Sequence, residues 1–109
     1  MRRRRVKRGR IVQTTVYALE DPRNGMIRYV GMTTQPALRK AQHEDPYHEK
    51  EHKLTVRWKL ELHASGLKPV FTVLAVYNDE RTAAKFEKRW AEELKYKGHP
   101  ILNCPRGYL

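Results

Sequence analysis

The sequence lacks the features that mark disulfide-stabilised, zinc-binding and membrane proteins. Its 109 residues include one cysteine, Cys104, so the chain can form no internal disulfide and no cysteine-rich zinc site. No apolar run reaches membrane-spanning length, and no small-residue cleavage site follows the cationic start. We therefore expect a cytoplasmic protein without a signal peptide or a transmembrane segment.

Acidic residues are scarce, above all at the beginning of the chain. There are 12 aspartates and glutamates against 23 lysines and arginines, a formal net charge of +11. A short cationic arm binds polyanions by releasing their condensed counterions, so we expect nucleic acid, with DNA preferred, as the partner. An anionic membrane surface and a merely solubilising tail are the alternatives. The predicted phosphate contacts in this arm are Arg2, Arg3, Arg4, Arg5, Lys7, Arg8 and Arg10.

Residues 1–10 show no apolar pattern and are predicted to form a basic flexible tail. Residues 11–109 contain no internal repeat and no interior linker and are predicted to form one domain. Two β-branched segments, residues 11–19 and 26–30, flank a turn with an Asn-Gly pair and predict an antiparallel hairpin. A third apolar run, residues 70–77, is typical of a central strand covered on both faces.

Three helices are predicted around these strands. The first begins at Pro36, and the other two carry apolar residues at helical spacing. The order of elements predicts an α/β fold in which helices flank a small three-stranded, mostly antiparallel sheet. The predicted caps are Thr33 or Thr34 for the first helix and Asn78 or Asp79 for the third, and the predicted core stripes are Leu54, Trp58 and Leu62, then Phe86, Trp90 and Leu94.

Arg39 and His43 lie four residues apart on the first predicted helix, so they share one face. A guanidinium offers a planar donor fork that suits a phosphodiester, and a histidine can pass a proton or hold a water. Lys40 beside them is a further predicted contact to nucleic acid. Because these residue types also belong on surfaces, the spacing alone favours a solvated helix face over a site.

Glu87 lies three residues before Trp90 on the third predicted helix, at the edge of its core stripe. A carboxylate there can bind a hard divalent cation such as Mg²⁺ or Mn²⁺. An exposed glutamate paired with a neighbouring lysine is the alternative that composition favours. Glu92 and Glu93 are competing carboxylates one turn later.

Tyr17 and Tyr29 lie in the predicted hairpin, where a tyrosine is more often a packing residue than a catalyst. Gly31 follows the second predicted strand, and its lack of a side chain permits either a tight exit or close approach of a phosphate backbone. His48 and His52 belong to a polar stretch whose histidine spacing matches no common zinc pattern. We expect a loop there, from which either histidine can reach the site.

Six positions, in this order and spacing, resemble the GIY-YIG nuclease family. Residues 15–17, Thr-Val-Tyr, correspond to its first motif and residues 29–31, Tyr-Val-Gly, to its second, with eleven residues between the two tyrosines. The later positions correspond to the family's helix arginine and histidine, its metal-binding glutamate and its terminal asparagine. They are Arg39, His43, Glu87 and Asn103.

The resemblance implies an endonuclease that hydrolyses phosphodiester bonds with one divalent ion, Mg²⁺ or Mn²⁺, held by Glu87. It implies that Tyr17 deprotonates or orients the attacking water and that Arg39 neutralises the phosphate oxygens. Tyr29 and His43 would complete the network, and Asn103 would orient Glu87 or the backbone near it. Two alternatives stay open: a non-catalytic nucleic-acid-binding module, and an interaction subunit that keeps the nuclease fold without activity.

Overall fold

Six elements follow one another in the order that the sequence predicts. The computed structural model describes residues 12–45 and 53–102. The strands form one antiparallel sheet in the order β2-β1-β3, and the helices flank it, which confirms the predicted α/β class. The elements are β1 (Thr14–Glu20), β2 (Ile27–Thr33), α1 (Pro36–Glu44), α2 (Lys53–Ala64), β3 (Val70–Tyr77) and α3 (Glu80–Tyr96).

The predicted hairpin is present, and the carboxylate of Asp21 holds its loop. Asp21 accepts a hydrogen bond from the backbone N–H of Arg23 at 2.9 Å and bonds from its guanidinium at 2.8 and 3.0 Å. The indole N–H of Trp58 donates to the same carboxylate at 3.0 Å. The hydrogen bonds from Arg23 and Trp58 outweigh burial and hold the pKa of Asp21 below its usual range. The loop is thereby fastened to α2.

Two expectations about the strands are wrong. β2 continues to Thr33, so Gly31 lies inside the strand, paired with Tyr17, and does not end it. β3 is an edge strand, because the first strand of the hairpin pairs on both sides and takes the centre. The ladder between β1 and β3 is irregular next to Val16. β3 is also not covered on both faces as expected, since three of its valines are 42–53% exposed: Val70, Val73 and Val76.

The pleat of β1 sends neighbouring side chains to two different cores. A different helix covers each core, so residues on the two faces of β1 contact different helices. Val16 and Ala18 pack with Ala83 and Ala91 of α3. Tyr17 and Leu19 pack on the other face with Trp58 and Leu62 of α2.

The buried stripes of α2 and α3 differ from the predicted ones. Leu54 is largely exposed, whereas the buried residues of α2 are Thr55, Trp58, Lys59 and Leu62. In α3 the buried residues are Ala83, Glu87 and Ala91, and the large apolar side chains flank them half-buried. Small residues let this helix lie close to the sheet, which leaves the bulky ones at the sides of the contact.

One of the two predicted helix caps is present and the other is not. Asp79 caps α3 by accepting a hydrogen bond from the backbone N–H of Thr82 at 2.7 Å, as expected. The N-cap of α1 is Gln35, which makes no side-chain cap, so the prediction of Thr33 or Thr34 is wrong. Thr33 instead accepts a bond from the backbone N–H of Gln35 at 3.0 Å, in a turn before the helix.

The edge of β2 is covered by the segment that follows α3. The backbone N–H of Ile27 donates to Nδ1 of His99 at 2.9 Å, and that of Leu102 donates to the carbonyl of Arg28 at 2.7 Å. Within the described ranges, none of the helices has the length and apolar character needed to cross a bilayer. The predicted basic tail lies outside the described residues.

Candidate active site

Four residues predicted to be catalytic converge on the α2 face of the sheet. Tyr17 comes from β1, Tyr29 from β2, and Arg39 and His43 from α1. The ring centroids lie 6.0 Å apart for Tyr17 and Tyr29, 5.4 Å for Tyr17 and His43, and 5.0 Å for Tyr29 and His43. They meet because Tyr29 lies two residues before Gly31, the partner of Tyr17, and α1 begins directly after β2.

Gly31 makes room for this cluster. A Cβ atom at position 31 would lie 2.7 Å from the Tyr17 hydroxyl oxygen and 2.9 Å from Cε2 of Tyr29. Both distances are well inside van der Waals contact, and Tyr17 is 1% exposed, so its ring cannot move aside. The glycine therefore lets the tyrosine hydroxyl lie over the backbone of β2. Its predicted contact with nucleic acid stays a prediction.

His43 connects two elements through its two ring nitrogens. Nε2 lies 2.7 Å from the Tyr17 hydroxyl oxygen, and Nδ1 lies 2.7 Å from Nζ of Lys59 on α2. His43 is 1% exposed and Lys59 is 2% exposed. The three side chains form a continuous buried polar chain from β1 through α1 to α2.

Lys59 is the site residue that sequence reasoning missed. Lysine is almost never fully buried unless it is paired, so a search for apolar periodicity places it on the surface. A signal was present in its position: Lys59 lies between Trp58 and Leu62, on the stripe that those two residues define. A lysine inside an apolar stripe is a candidate for a buried polar partner.

Arg39 lies beside the hydroxyl groups of both tyrosines and is half-buried. Its Nη1 donates to Oε1 of Gln42 at 2.7 Å, which orients the guanidinium. Burial lowers the pKa of Arg39, but the two tyrosine oxygens raise it more, so the arginine stays charged. Burial and the neighbouring Tyr29 raise the pKa of Tyr17 far above its ordinary value, and Arg39 opposes them.

Glu87 belongs to α3, whose residues Ala83 and Ala91 pack in the core on the face of the sheet opposite the tyrosines, so its membership of one site with the tyrosine cluster stays a prediction. Glu87 is 6% exposed and lies between Ala83 and Ala91 on the buried stripe, so it lies within the buried face and not at its edge. The competing carboxylates, Glu92 and Glu93, are exposed.

The donor chemistry of Glu87 fits a hard cation that takes most of its ligands from water and substrate. No group of three or more His, Cys, Asp or Glu side chains that could hold a metal occurs within residues 12–45 and 53–102. A magnesium-like ion needs only one or two protein carboxylates when phosphate oxygens complete its shell. A single buried glutamate is compatible with that mode of binding.

The remaining predicted residues fall into two groups. Lys40 is exposed, and its ammonium contacts the carboxylate of Glu44 at 2.6 Å, a surface pair that is weak in solution. Asn103, His48, His52 and the seven cations of the basic tail lie outside the described residues. Their predicted roles stay predictions.

The tyrosine cluster lies in a region of the chain that resembles a known protein family. Residues 13–98, most of the chain, match the model of the GIY-YIG catalytic domain. No curated protein and no solved structure matches the chain significantly. The matched region contains the three strands, the three helices and the tyrosine cluster, and the sheet with its flanking helices is consistent with that fold. The chain belongs to the GIY-YIG family, and its fold is of the nuclease type.

Proposed function

We propose that this protein is a divalent-metal-dependent endonuclease that hydrolyses phosphodiester bonds in DNA. The observation that supports it best is the short contact between the Tyr17 hydroxyl and Nε2 of His43, with Arg39 beside the same hydroxyl. A purely structural tyrosine fills space with its ring and does not require a buried histidine and a guanidinium at its oxygen. The cluster supplies instead a proton-handling group next to a phosphate-binding group.

Arg39 is the residue that binds the scissile phosphate. Its guanidinium keeps a full positive charge next to the tyrosines, and a planar fork of donors matches two phosphate oxygens at once. Negative charge grows on those oxygens in the transition state. A fixed cation with low access to water stabilises that charge more than it stabilises the ground state.

Tyr17 orients the attacking water and, once its own hydroxyl has lost its proton to solvent, takes a proton from that water. An ordinary tyrosine has a pKa of about 10, and burial raises that of Tyr17 further. The hydroxyl therefore needs donors and cations nearby to act as a base near neutral pH. Arg39 and His43 supply them directly, Tyr29 packs beside the same ring, and Asn103 is proposed to orient Glu87.

Glu87 is the proposed ligand of one Mg²⁺ or Mn²⁺ ion. When bound, the ion supplies Lewis-acid stabilisation of charge at the phosphate and at the leaving oxygen. The carboxylate is withdrawn from bulk water, so it attracts a cation more strongly than a surface glutamate does.

The basic tail, with Lys40 and Gly31, is proposed to contact the nucleic acid without reading its sequence. Deleting residues 1–10 should weaken binding to all DNA sequences alike and leave slow cleavage in place. The slope of log affinity against log salt should become shallower by roughly 0.9 for each duplex phosphate that the shortened protein no longer neutralises. An unchanged slope would show that the tail does not touch phosphates.

The decisive experiment compares Glu87→Gln and Arg39→Ala with the wild type. Supercoiled, branched and single-stranded DNA are incubated with and without Mn²⁺, and Mn²⁺ binding is measured in parallel by calorimetry. Glu87→Gln should lose both metal binding and cleavage while DNA binding survives. Arg39→Ala should lose cleavage and keep metal binding, because the arginine acts on the phosphate and not on the ion.

Glu92→Gln is the matched control, an exposed carboxylate on the same helix, and it should cleave like the wild type. If Glu87→Gln nicks DNA at a comparable rate, the assignment of the single metal site is wrong. If the wild type binds DNA equally well in chelator and in Mn²⁺ and never cleaves, the protein is a binding module or an inactive interaction subunit.

A further inference from the structure

We propose that Lys59 is a positioning residue for this reaction. Its ammonium donates a hydrogen bond to Nδ1 of His43, which keeps the imidazole proton on Nε2 and makes His43 a donor to the Tyr17 hydroxyl oxygen. The two contacts that carry the inference are both 2.7 Å long. The catalytic consequence rests on the proposed nuclease function, whereas the direction of the hydrogen bonds does not.

The direction follows from counting donors and acceptors. A lysine ammonium has three N–H groups and no lone pair, so a short contact with a ring nitrogen requires a lone pair on that nitrogen. A neutral imidazole has one N–H and one lone pair. With the lone pair of His43 committed to Lys59 at Nδ1, the N–H must be at Nε2, where it points to Tyr17.

Burial makes this arrangement effective. Tyr17, His43 and Lys59 are each at most 2% exposed, so water cannot readily replace a partner that is removed. Hydrogen bonds in such surroundings are stronger than in water, and chains of them polarise one another. A lysine side chain also loses conformational freedom and hydration when it is buried. A specific partner at its end offsets that cost.

In this arrangement the hydroxyl oxygen of Tyr17 accepts hydrogen bonds. Around it the structure places His43 and Arg39 from α1 and Tyr29 from β2, with Lys59 of α2 acting through His43, while β3 contributes the non-titrating ring of Phe71. Donors from His43 and Arg39 favour negative charge on the oxygen. They also leave the hydroxyl hydrogen of Tyr17 able to point away from His43.

Without Lys59 the imidazole can change tautomer. An Nδ1–H form of His43 would accept a hydrogen bond from Tyr17 at Nε2 and turn the hydroxyl hydrogen inward. Tyr17 would then lose a donor and a nearby positive charge. Both losses raise its pKa, so a higher pH is needed before the hydroxyl is deprotonated and able to take a proton from water. The lysine thereby acts on the reaction without touching substrate.

The first test is the tautomer itself, read from the ¹⁵N chemical shifts of the histidine rings in the wild-type protein. His43→Gln identifies which signals belong to His43. We expect a protonated Nε2 and an unprotonated Nδ1 at neutral pH. The opposite tautomer would overturn the proposal whether or not the protein cleaves DNA.

The second test is the pH profile of plasmid nicking by Lys59→Met and Lys59→Arg. Lys59→Met should lower kcat by about 100-fold, the scale of a general acid–base contribution, with little change in KM. It should also move the acid limb of the profile upward by about one pH unit, the scale of one charge-assisted hydrogen bond. Lys59→Arg keeps a charged donor and should restore most of both.

Lys53→Met is the matched control, since Lys53 is an exposed lysine on the same helix. It should leave the pH profile unchanged, and thermal unfolding confirms that each variant is folded. If Lys59→Arg is as defective as Lys59→Met, the lysine acts as a proton acceptor or by size alone, and the proposal fails. A wild type with the expected tautomer and no cleavage would refute the nuclease function and leave the hydrogen-bond assignment intact.

Discussion

The two faces of the central strand, β1, differ in the polarity of the side chains that they bury. On the α3 face, Val16 and Ala18 meet alanines in an apolar core. On the α2 face, the next residue along the strand, Tyr17, carries its hydroxyl into a chain of buried polar groups. A shift of one residue in a strand therefore separates a region that stabilises the fold from a region equipped for chemistry.

The polar face is the more demanding of the two. A buried polar group without a hydrogen bond destabilises the fold by about 1–3 kcal/mol, whereas an apolar side chain needs only a complementary surface. The polar chain is held by residues from three elements, so it depends on the geometry of the whole domain. We expect changes in the polar chain of Tyr17, His43 and Lys59 to act mainly on cleavage, and changes of the apolar residues on the α3 face to act mainly on stability.

The sharpest test of this comparison uses the neighbours Tyr17 and Val16. Tyr17→Phe keeps the ring and removes the hydroxyl, so the nicking rate should fall about 100-fold or more. Val16→Ala deletes two buried methyl groups and should reduce the free energy of unfolding by about 2–3 kcal/mol. The nicking rate per folded molecule should stay close to that of the wild type.

Chemical denaturation and plasmid nicking are measured on both proteins at a temperature where both are folded. Near wild-type cleavage by Tyr17→Phe would return this tyrosine to the core and transfer the proton-handling role to Tyr29 or His43. A large loss of activity in folded Val16→Ala would show that the two faces are coupled and cannot be treated separately.

Gly31→Ala should affect both properties, because it introduces a methyl group under the tyrosines. The new Cβ would lie 2.7 Å from the Tyr17 oxygen, and overpacking of this kind costs about 1–3 kcal/mol. Displacement of the hydroxyl should reduce nicking by roughly tenfold to 100-fold. The cost in stability should shrink in a Tyr17→Ala background, where the clash with Tyr17 is gone and only that with Tyr29 remains. An equal cost in both backgrounds would exclude the Tyr17 ring as the cause.

Much of the fold was predictable from local patterns. The hairpin, the helix that begins at Pro36 and the cap at Asp79 depend on neighbouring residues and are present. The order of strands was not predictable in this way, since pairing between β1 and β3 joins distant segments. The apolar run of β3 suggested a central strand, but the choice between edge and centre depends on partners that periodicity does not reveal.

The candidate site likewise contains residues that the sequence predicted and one that it did not. The resemblance of six ordered positions to a nuclease family predicted that Tyr17, Tyr29, Arg39 and His43 form one cluster. The structure brings these four together. Lys59 escaped prediction because a buried lysine is decided by a partner sixteen residues away in sequence. Residue type alone predicts that a lysine is exposed to solvent, and only the three-dimensional structure shows its contact with His43.

Asp21→Asn tests the link between the hairpin loop and α2, on the border of the polar face. The change keeps the shape and removes the charge that accepts bonds from Arg23 and Trp58, so unfolding should become easier by about 1–3 kcal/mol at pH 7. The folded pKa of Asp21 lies below its unfolded value. Its stabilisation is therefore complete above the unfolded pKa of about 4 and is lost as the pH falls through the folded pKa.

The measurement is the free energy of unfolding of both proteins between pH 7 and pH 2. The difference between wild type and Asp21→Asn should be constant down to about pH 4 and then shrink. A difference that persists undiminished at pH 2 would mean that the charge of the carboxylate is not the cause of the difference. Cleavage at neutral pH should change much less than in Gly31→Ala, because the hydrogen bonds that Asp21 accepts come from Arg23 and Trp58 and not from the tyrosines.

Thr55→Val is the smallest of these changes and the only one expected to stabilise the protein. Thr55 is fully buried on α2, one helical turn before Lys59, and its hydroxyl finds no hydrogen-bond partner among residues 12–45 and 53–102. Valine has nearly the same shape and no hydroxyl, so the free energy of unfolding should rise by about 1 kcal/mol. Chemical denaturation at pH 7 measures this difference, with Thr72→Val on β3 as a partly exposed control that should change little. If Thr55→Val is instead destabilising, the hydroxyl is satisfied in solution, and the polar region of the α2 face extends one turn beyond Lys59.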